Sequence, residues 1–213
     1  SARLFTPAEM KRDYPLAWDY LNRNKRLLET REKGKFKDAE WYRFGRTQNL
    51  GMWEQPKLLV PYMVTHLATY VDNTDGFYFI NVTTGGYGIT SADPTVSLSY
   101  LCGLLNSRLL DFYFKSVTTP FHGGYFAANK QYIEQLPIRP INFSDPSDKA
   151  RHDKMVELVG RMLEMNKQKH SGKLAPSQVD RVDREIAATD TEIDNLVYTL
   201  YGITDEERTI IES

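Results

Sequence analysis

The sequence predicts an α+β fold: a small β-sheet flanked by helices, with an antiparallel helical hairpin at the C-terminal end. Three observations predict it. Short runs rich in apolar, β-branched and aromatic residues, such as residues 58–64, are bounded by turn-forming residues and read as strands. Leu101, Leu104, Leu105, Leu109 and Phe112 recur at three- and four-residue steps and read as one helix face. Two long amphipathic stretches, separated by a break at residues 171–176, read as a helix pair.

Composition sets the outer bounds. The chain has 213 residues with 41% apolar content, an ordinary globular value that allows a true core. One cysteine, Cys102, excludes an internal disulfide or a thiolate metal site, and its apolar surroundings suit a small core residue. No apolar run is long enough to span a membrane, and the start has no signal-peptide pattern, so a cytoplasmic location is the default expectation. Net charge is −1, but it is unevenly spread. Residues 1–50 hold 12 Lys/Arg against 7 Asp/Glu, whereas residues 141–213 hold 10 against 15. A phosphate senses the local sign within a Debye length of roughly 10 Å, so the basic first segment is a candidate nucleic-acid surface.

In chain order, a first helix is expected from Pro15, with Leu16, Tyr20, Leu21, Leu27 and Leu28 along one stripe and basic residues outside it. Residues 41–44 read as a strand entering a polar turn at 45–51 that carries Arg46, Thr47, Gln48 and Asn49. Arg can bond guanine through two donors, and Gln and Asn can bond adenine through a donor and an acceptor. Residues 58–64 are a strand in which Pro61 suggests an edge or a bulge. Asp72 and Asp75 read as turn formers before a second strand at residues 77–82. The glycine-rich residues 83–89 match neither phosphate-loop spacing, and read as a turn or as a loop presenting Tyr87. A helix follows from residue 98, with Thr95 and Ser97 available as caps. Then comes a loop with Gly123-Gly124 and a turn at Tyr125 and Phe126, where an aromatic can be exposed, and a short helix that stops before Pro137. From residue 145, the stripe Met155, Leu158, Val159, Met162 and Leu163 pairs with a near-heptad stripe from Val179 to Leu200. Gly202 closes that second helix, and Thr204 to Glu207 form a capping box for a last turn.

Five phrases carry a resemblance. They are Trp41-Tyr42 followed by Arg46-Thr-Gln; Pro56-Lys-Leu-Leu-Val-Pro; Leu104-Leu-Asn-Ser-Arg-Leu-Leu-Asp-Phe-Tyr-Phe; Gly123-Gly-Tyr-Phe; and Asn129-Lys-Gln-Tyr-Ile-Glu-Gln-Leu-Pro-Ile. In order and spacing this resembles the TaqI-like C-terminal specificity domain of adenine-specific DNA methyltransferases and type II restriction-modification enzymes, over roughly residues 14–140. The resemblance implies a target-recognition domain over residues 1–142, and the acidic amphipathic helix pair reads as a bracing or docking hairpin over 143–213. The resemblance also implies binding of double-stranded DNA between this domain and an N-terminal methyltransferase domain of the same parent chain.

No catalytic or metal-ligating set is found. The four histidines, His66, His122, His152 and His170, have no ligand partner at usable spacing. The family's Asn/Asp-Pro-Pro-aromatic motif and its S-adenosylmethionine glycine motif are both missing. The segment itself is therefore expected to be non-catalytic and without cofactor. S-adenosylmethionine would belong to the catalytic domain of a parent enzyme, with or without a fused endonuclease. Loop position and the matching phrases nominate Arg43, Arg46, Gln48, Asn49, Tyr87, His122, Tyr125 and Lys130 for DNA contact. The competing reading is a helical protein-interaction module, resting on the near-heptad stripe.

Overall fold

The computed structural model describes residues 3–45, 52–73, 76–78 and 85–213. The chain forms two compact units, Ser1–Glu54 and Gln55–Ser213.

The first unit is helical. Thr6 and Glu9 cap α1 (Pro7–Asp13) reciprocally, and Pro7 and Pro15 open α1 and α2 (Pro15–Arg23), where their missing N–H costs nothing. The expected start at Pro15 holds for α2; α1 was not anticipated. Next come α3 (Lys25–Glu29) and the single turn α4 (Arg31–Gly34). The expected apolar stripe is not the buried one: Leu16, Tyr20 and Leu27 are exposed, and Trp18 is buried. The helix breaks at Asn24 and Thr30, which resets its face. Trp18 then packs on Trp41 and Tyr42 at centroid distances of 5.8 and 5.1 Å. Residues 41–44 form turns rather than the expected strand, because Trp41 serves this aromatic cluster rather than a ladder.

The second unit is the α+β body. Its three-stranded antiparallel sheet has the order β3 (Tyr70–Asp72), β1 (Lys57–Pro61), β4 (Gly86–Ile89). A second, two-stranded sheet pairs β2 (Met63–Val64) with β5 (Phe126–Ala127). Pro61 ends the central strand rather than marking an edge: it sits opposite Gly86, and beyond it the chain leaves for β2. Gly86 is dictated by close approach, since a Cβ there would lie 2.1 Å from the Val60 carbonyl oxygen. Asp72 is a strand residue rather than a turn former. It is fully buried on β3 and paired 2.6 Å from the buried Lys57 directly opposite. Phe77 and Tyr78 lie outside any strand; most of the second strand expected at 77–82 falls outside the described residues.

The helix expected from residue 98 is two helices, α5 (Leu98–Leu105) and α6 (Arg108–Val117). Ser97 caps the first as expected, and Ser107 caps the second through Leu110 N–H. The break rotates the buried face, so Leu110 and Phe114 are in the core and Phe112 is exposed. Asn106, at the break, bonds both the N–H and the carbonyl of Thr69, at 2.6 and 2.9 Å. It acts there as a strand neighbour would.

The hairpin forms as expected: α8 (Pro146–Lys169) and α9 (Pro176–Tyr201), antiparallel, bridged by Arg161–Glu192 and Lys169–Asp183. Gly202 takes the left-handed C-terminal position, and Thr204 and Glu207 form the capping box of α10 (Asp205–Ile211). Met155, Leu158 and Val159 from α8 join Ile193, Val197 and Leu200 from α9 in one core with the sheet and α5. Cys102 is in that core, where burial pushes its thiol up. Among the described residues no helix is long and apolar enough to cross a membrane.

Candidate nucleic-acid interface

In the second unit, α6 leads straight into a hairpin tip whose residues 121–125 are exposed. Thr118 ends the helix and turns its hydroxyl onto the Ala127 carbonyl at 2.7 Å. Ala127 N–H returns to the Thr119 carbonyl, and Phe121 N–H donates to the Tyr125 carbonyl at 2.7 Å. Pro120 bridges Phe126, and β5 is anchored to β2, so the base of the tip is part of a sheet. Phe126 turns its ring inward against Phe114. The tip itself is the single turn η1 (His122–Gly124), in which Gly123 and Gly124 take φ of +78° and +76°. Only glycine adopts two such values in succession at low cost. The result is a backbone-fixed tip that leaves Phe121, His122 and Tyr125 exposed. Lys130 opens the short helix α7 (Lys130–Ile133) just behind it, with its side chain 81% exposed. Asn129, at the head of α7, leaves its buried Oδ1 without a donor among the described residues.

In the first unit, the turn after α3 is built around a ring. Phe36 is buried between two guanidinium groups, Arg31 at 4.1 Å and Arg43 at 4.7 Å from its centroid. Arg31 also donates to the carbonyls of Leu28, Trp41 and Arg43. Arg43 is tied to Asp38, whose carboxyl it holds below the usual range. The backbone beside this clamp is left-handed at three successive residues: Glu32 (φ 46°), Lys33 (φ 62°) and Gly34 (φ 85°). At a residue with a Cβ that conformation costs about 1–2 kcal/mol. Neither the Glu32 nor the Lys33 side chain is buried in return.

The nominated residues thus fall into three groups. His122, Tyr125 and Lys130 come together at or just behind the tip. Arg43 is held inside the clamp, and Tyr87 lies on β4, half-buried against the core. Arg46, Gln48 and Asn49 lie outside the described residues. Sequence reasoning missed Phe121 and the Phe36 clamp. Pro120-Phe121 ahead of a glycine pair was a usable signal for the first. Nothing local signals that two arginines twelve residues apart share one ring.

The family described as "TaqI-like C-terminal specificity domain" matches residues 8–138, more than half of the chain. The chain belongs to that family. The match spans the Phe36 clamp, the sheet and the tip, and ends at residue 138, ahead of the hairpin. This specificity domain is also similar to a protein of Escherichia coli, the type II restriction enzyme and methyltransferase RM.Eco57I. The two are 27% identical over 151 residues, which covers 68% of this chain and 15% of that protein. The chain therefore spans a small fraction of the length of the relative it matches.

Proposed function

We propose that this chain reads the sequence of duplex DNA as the specificity domain of an adenine-specific restriction-modification methyltransferase whose catalytic domain lies outside these residues. Membership of the specificity-domain family carries the reading. The tip supports it, because a backbone-fixed turn with exposed Phe121, His122 and Tyr125 is suited to enter a groove. Phosphate contacts would set the register, and a few side chains would choose the bases. His122, Tyr125 and Lys130 act from the tip. Arg46, Gln48 and Asn49 are the proposed base readers of the first unit, having the two-point bonding groups that guanine and adenine require. Methyl transfer, S-adenosylmethionine and the extruded adenine belong to an N-terminal methyltransferase domain of the same parent chain. The interaction-module reading has less support, because Ile193, Val197 and Leu200 of its stripe sit in the core of the second unit.

The test is selection of a random duplex pool on the 213-residue chain, followed by affinity measurements on the enriched sequence and on a scrambled one. Enrichment of one short motif is the expected outcome. Binding without enrichment would leave a non-specific DNA surface and reject the reading role.

A further inference from the structure

We infer that Lys33, Lys35 and Lys37 form a preset contact for the phosphate backbone of duplex DNA, and that Arg31 and Arg43 are positioning residues that hold this turn through Phe36. The inference rests on the DNA-reading proposal and adds a second surface to it, on the first unit.

Exposed lysines are usually a solvated face, and such a face needs no fixed backbone. Here the backbone is fixed. Glu32, Lys33 and Gly34 are left-handed in succession, and two of them are not glycine. Phe36 is locked between two guanidinium groups, and Arg31 closes on three carbonyls. The fold thus commits two of its own cations to hold a turn whose remaining cations face outward. Over residues 31–37 the net charge is +3. Lys33 and Lys37 are exposed and have no acidic partner among the described residues. Lys35 is 3.6 Å from Glu32, with both side chains more than half exposed, a pairing that a stronger anion displaces. The left-handed geometry at Glu32 and Lys33 buries neither side chain, and three ammonium groups on a rigid turn match a polyanion. Lysine heads are point-charge phosphate binders, with no geometry that selects a base. The contact should therefore raise affinity equally on every sequence.

The experiment measures binding of the 213-residue chain to the selected duplex and to a scrambled one, at salt from roughly 50 to 200 mM. With Lys33→Gln, Lys35→Gln and Lys37→Gln combined, affinity should fall by the same factor on both duplexes. The salt slope should shrink by about 2–3, close to 0.9 per lost contact. The three Lys→Arg replacements should restore the slope, and Lys167→Gln on α8 should leave it untouched. Lys37→Gln alone lies outside the left-handed residues and spares their backbone; its slope should shrink by about 0.9. A steep wild-type slope that survives the triple Gln variant would overturn the inference and leave the reading on the tip. Wild-type chain that shows no salt-dependent duplex binding would overturn both.

Discussion

Lys57 and Asp72 set two opposite charges against each other across β1 and β3 with almost no exposure. Lys57→Met takes away the cation 2.6 Å from the buried Asp72 carboxylate, so it should cost about 3–5 kcal/mol. Lys57→Met with Asp72→Leu should cost far less, because no charge is left behind. Equal losses in urea denaturation of the two variants would show that the pair contributes more than mutual neutralisation. Asp194 is a second buried acid. Burial pushes its carboxyl up, against the Arg108 N–H that donates to it at 2.9 Å. The folded state therefore binds this proton more tightly than the unfolded state. Its contribution to stability falls as pH rises from about 3.9 through the raised folded value. Asp194→Asn keeps an acceptor for the Arg108 N–H and removes the titration, so urea midpoints measured as pH rises above about 3.9 should lose that downward component. An unchanged pH profile would assign the component to another acid. Asp148, pulled down by hydrogen bonds from Arg139 and Asn142, has the other sign: its contribution is present above about 3.9 and is lost as pH falls.

At the scale of elements, the tip is held by its main chain and by Phe126, while Tyr125 is held by little. Tyr125→Ala should therefore leave thermal unfolding within about 0.5 kcal/mol of the parent. If Tyr125 reaches a base, specific affinity should drop by about 1–3 kcal/mol, measured against the scrambled duplex. A drop shared equally by both duplexes would instead make Tyr125 a backbone contact. The tip was legible in the sequence because Gly123-Gly124 states its geometry locally, and so do the caps Ser97, Thr204 and Gly202. Periodicity found the hairpin and α5, since a long helix repeats its signal many times. It failed where a helix is interrupted. The Asn106–Ser107 break keeps the three- and four-residue spacing of leucines while rotating the face they occupy. In the first unit, apolar spacing nominated Leu16, Tyr20 and Leu27, yet the core chose Trp18, Phe36 and Trp41. So small a core is defined by its largest rings, and Trp18 meets its partners Trp41 and Tyr42 from far along the chain. The Lys57–Asp72 pair was illegible for a related reason: register brings those residues together, and a strand pattern does not reveal register.

At the scale of the whole molecule, the two units divide the work unequally. Residues 55–213 contain a continuous core from Leu58 to Leu200, with the sheet, α5 and the hairpin in one cluster. Among the described residues of 1–54, the buried apolar side chains are Trp18, Phe36 and Trp41. A core of that size rarely sustains a fold alone. Expressed separately, residues 55–213 should unfold in one cooperative transition, and residues 1–54 should show none by calorimetry. Charge divides along the same line. Residues 1–54 hold 12 Lys/Arg and 8 Asp/Glu, leaving residues 55–213 with 15 and 20, a net of −5. The larger fragment keeps the tip but loses the basic turn and carries an overall field that repels phosphate. It should fold, and it should lose most duplex affinity near 150 mM salt, a typical physiological value, while regaining measurable binding at low salt. Full affinity in the 55–213 fragment would mean that the tip alone supplies the binding energy. No binding at any salt would mean that the tip needs the first unit for more than charge. The intermediate result is the one this distribution of core and charge predicts: the larger unit carries the tip, and the small first unit carries the net positive charge.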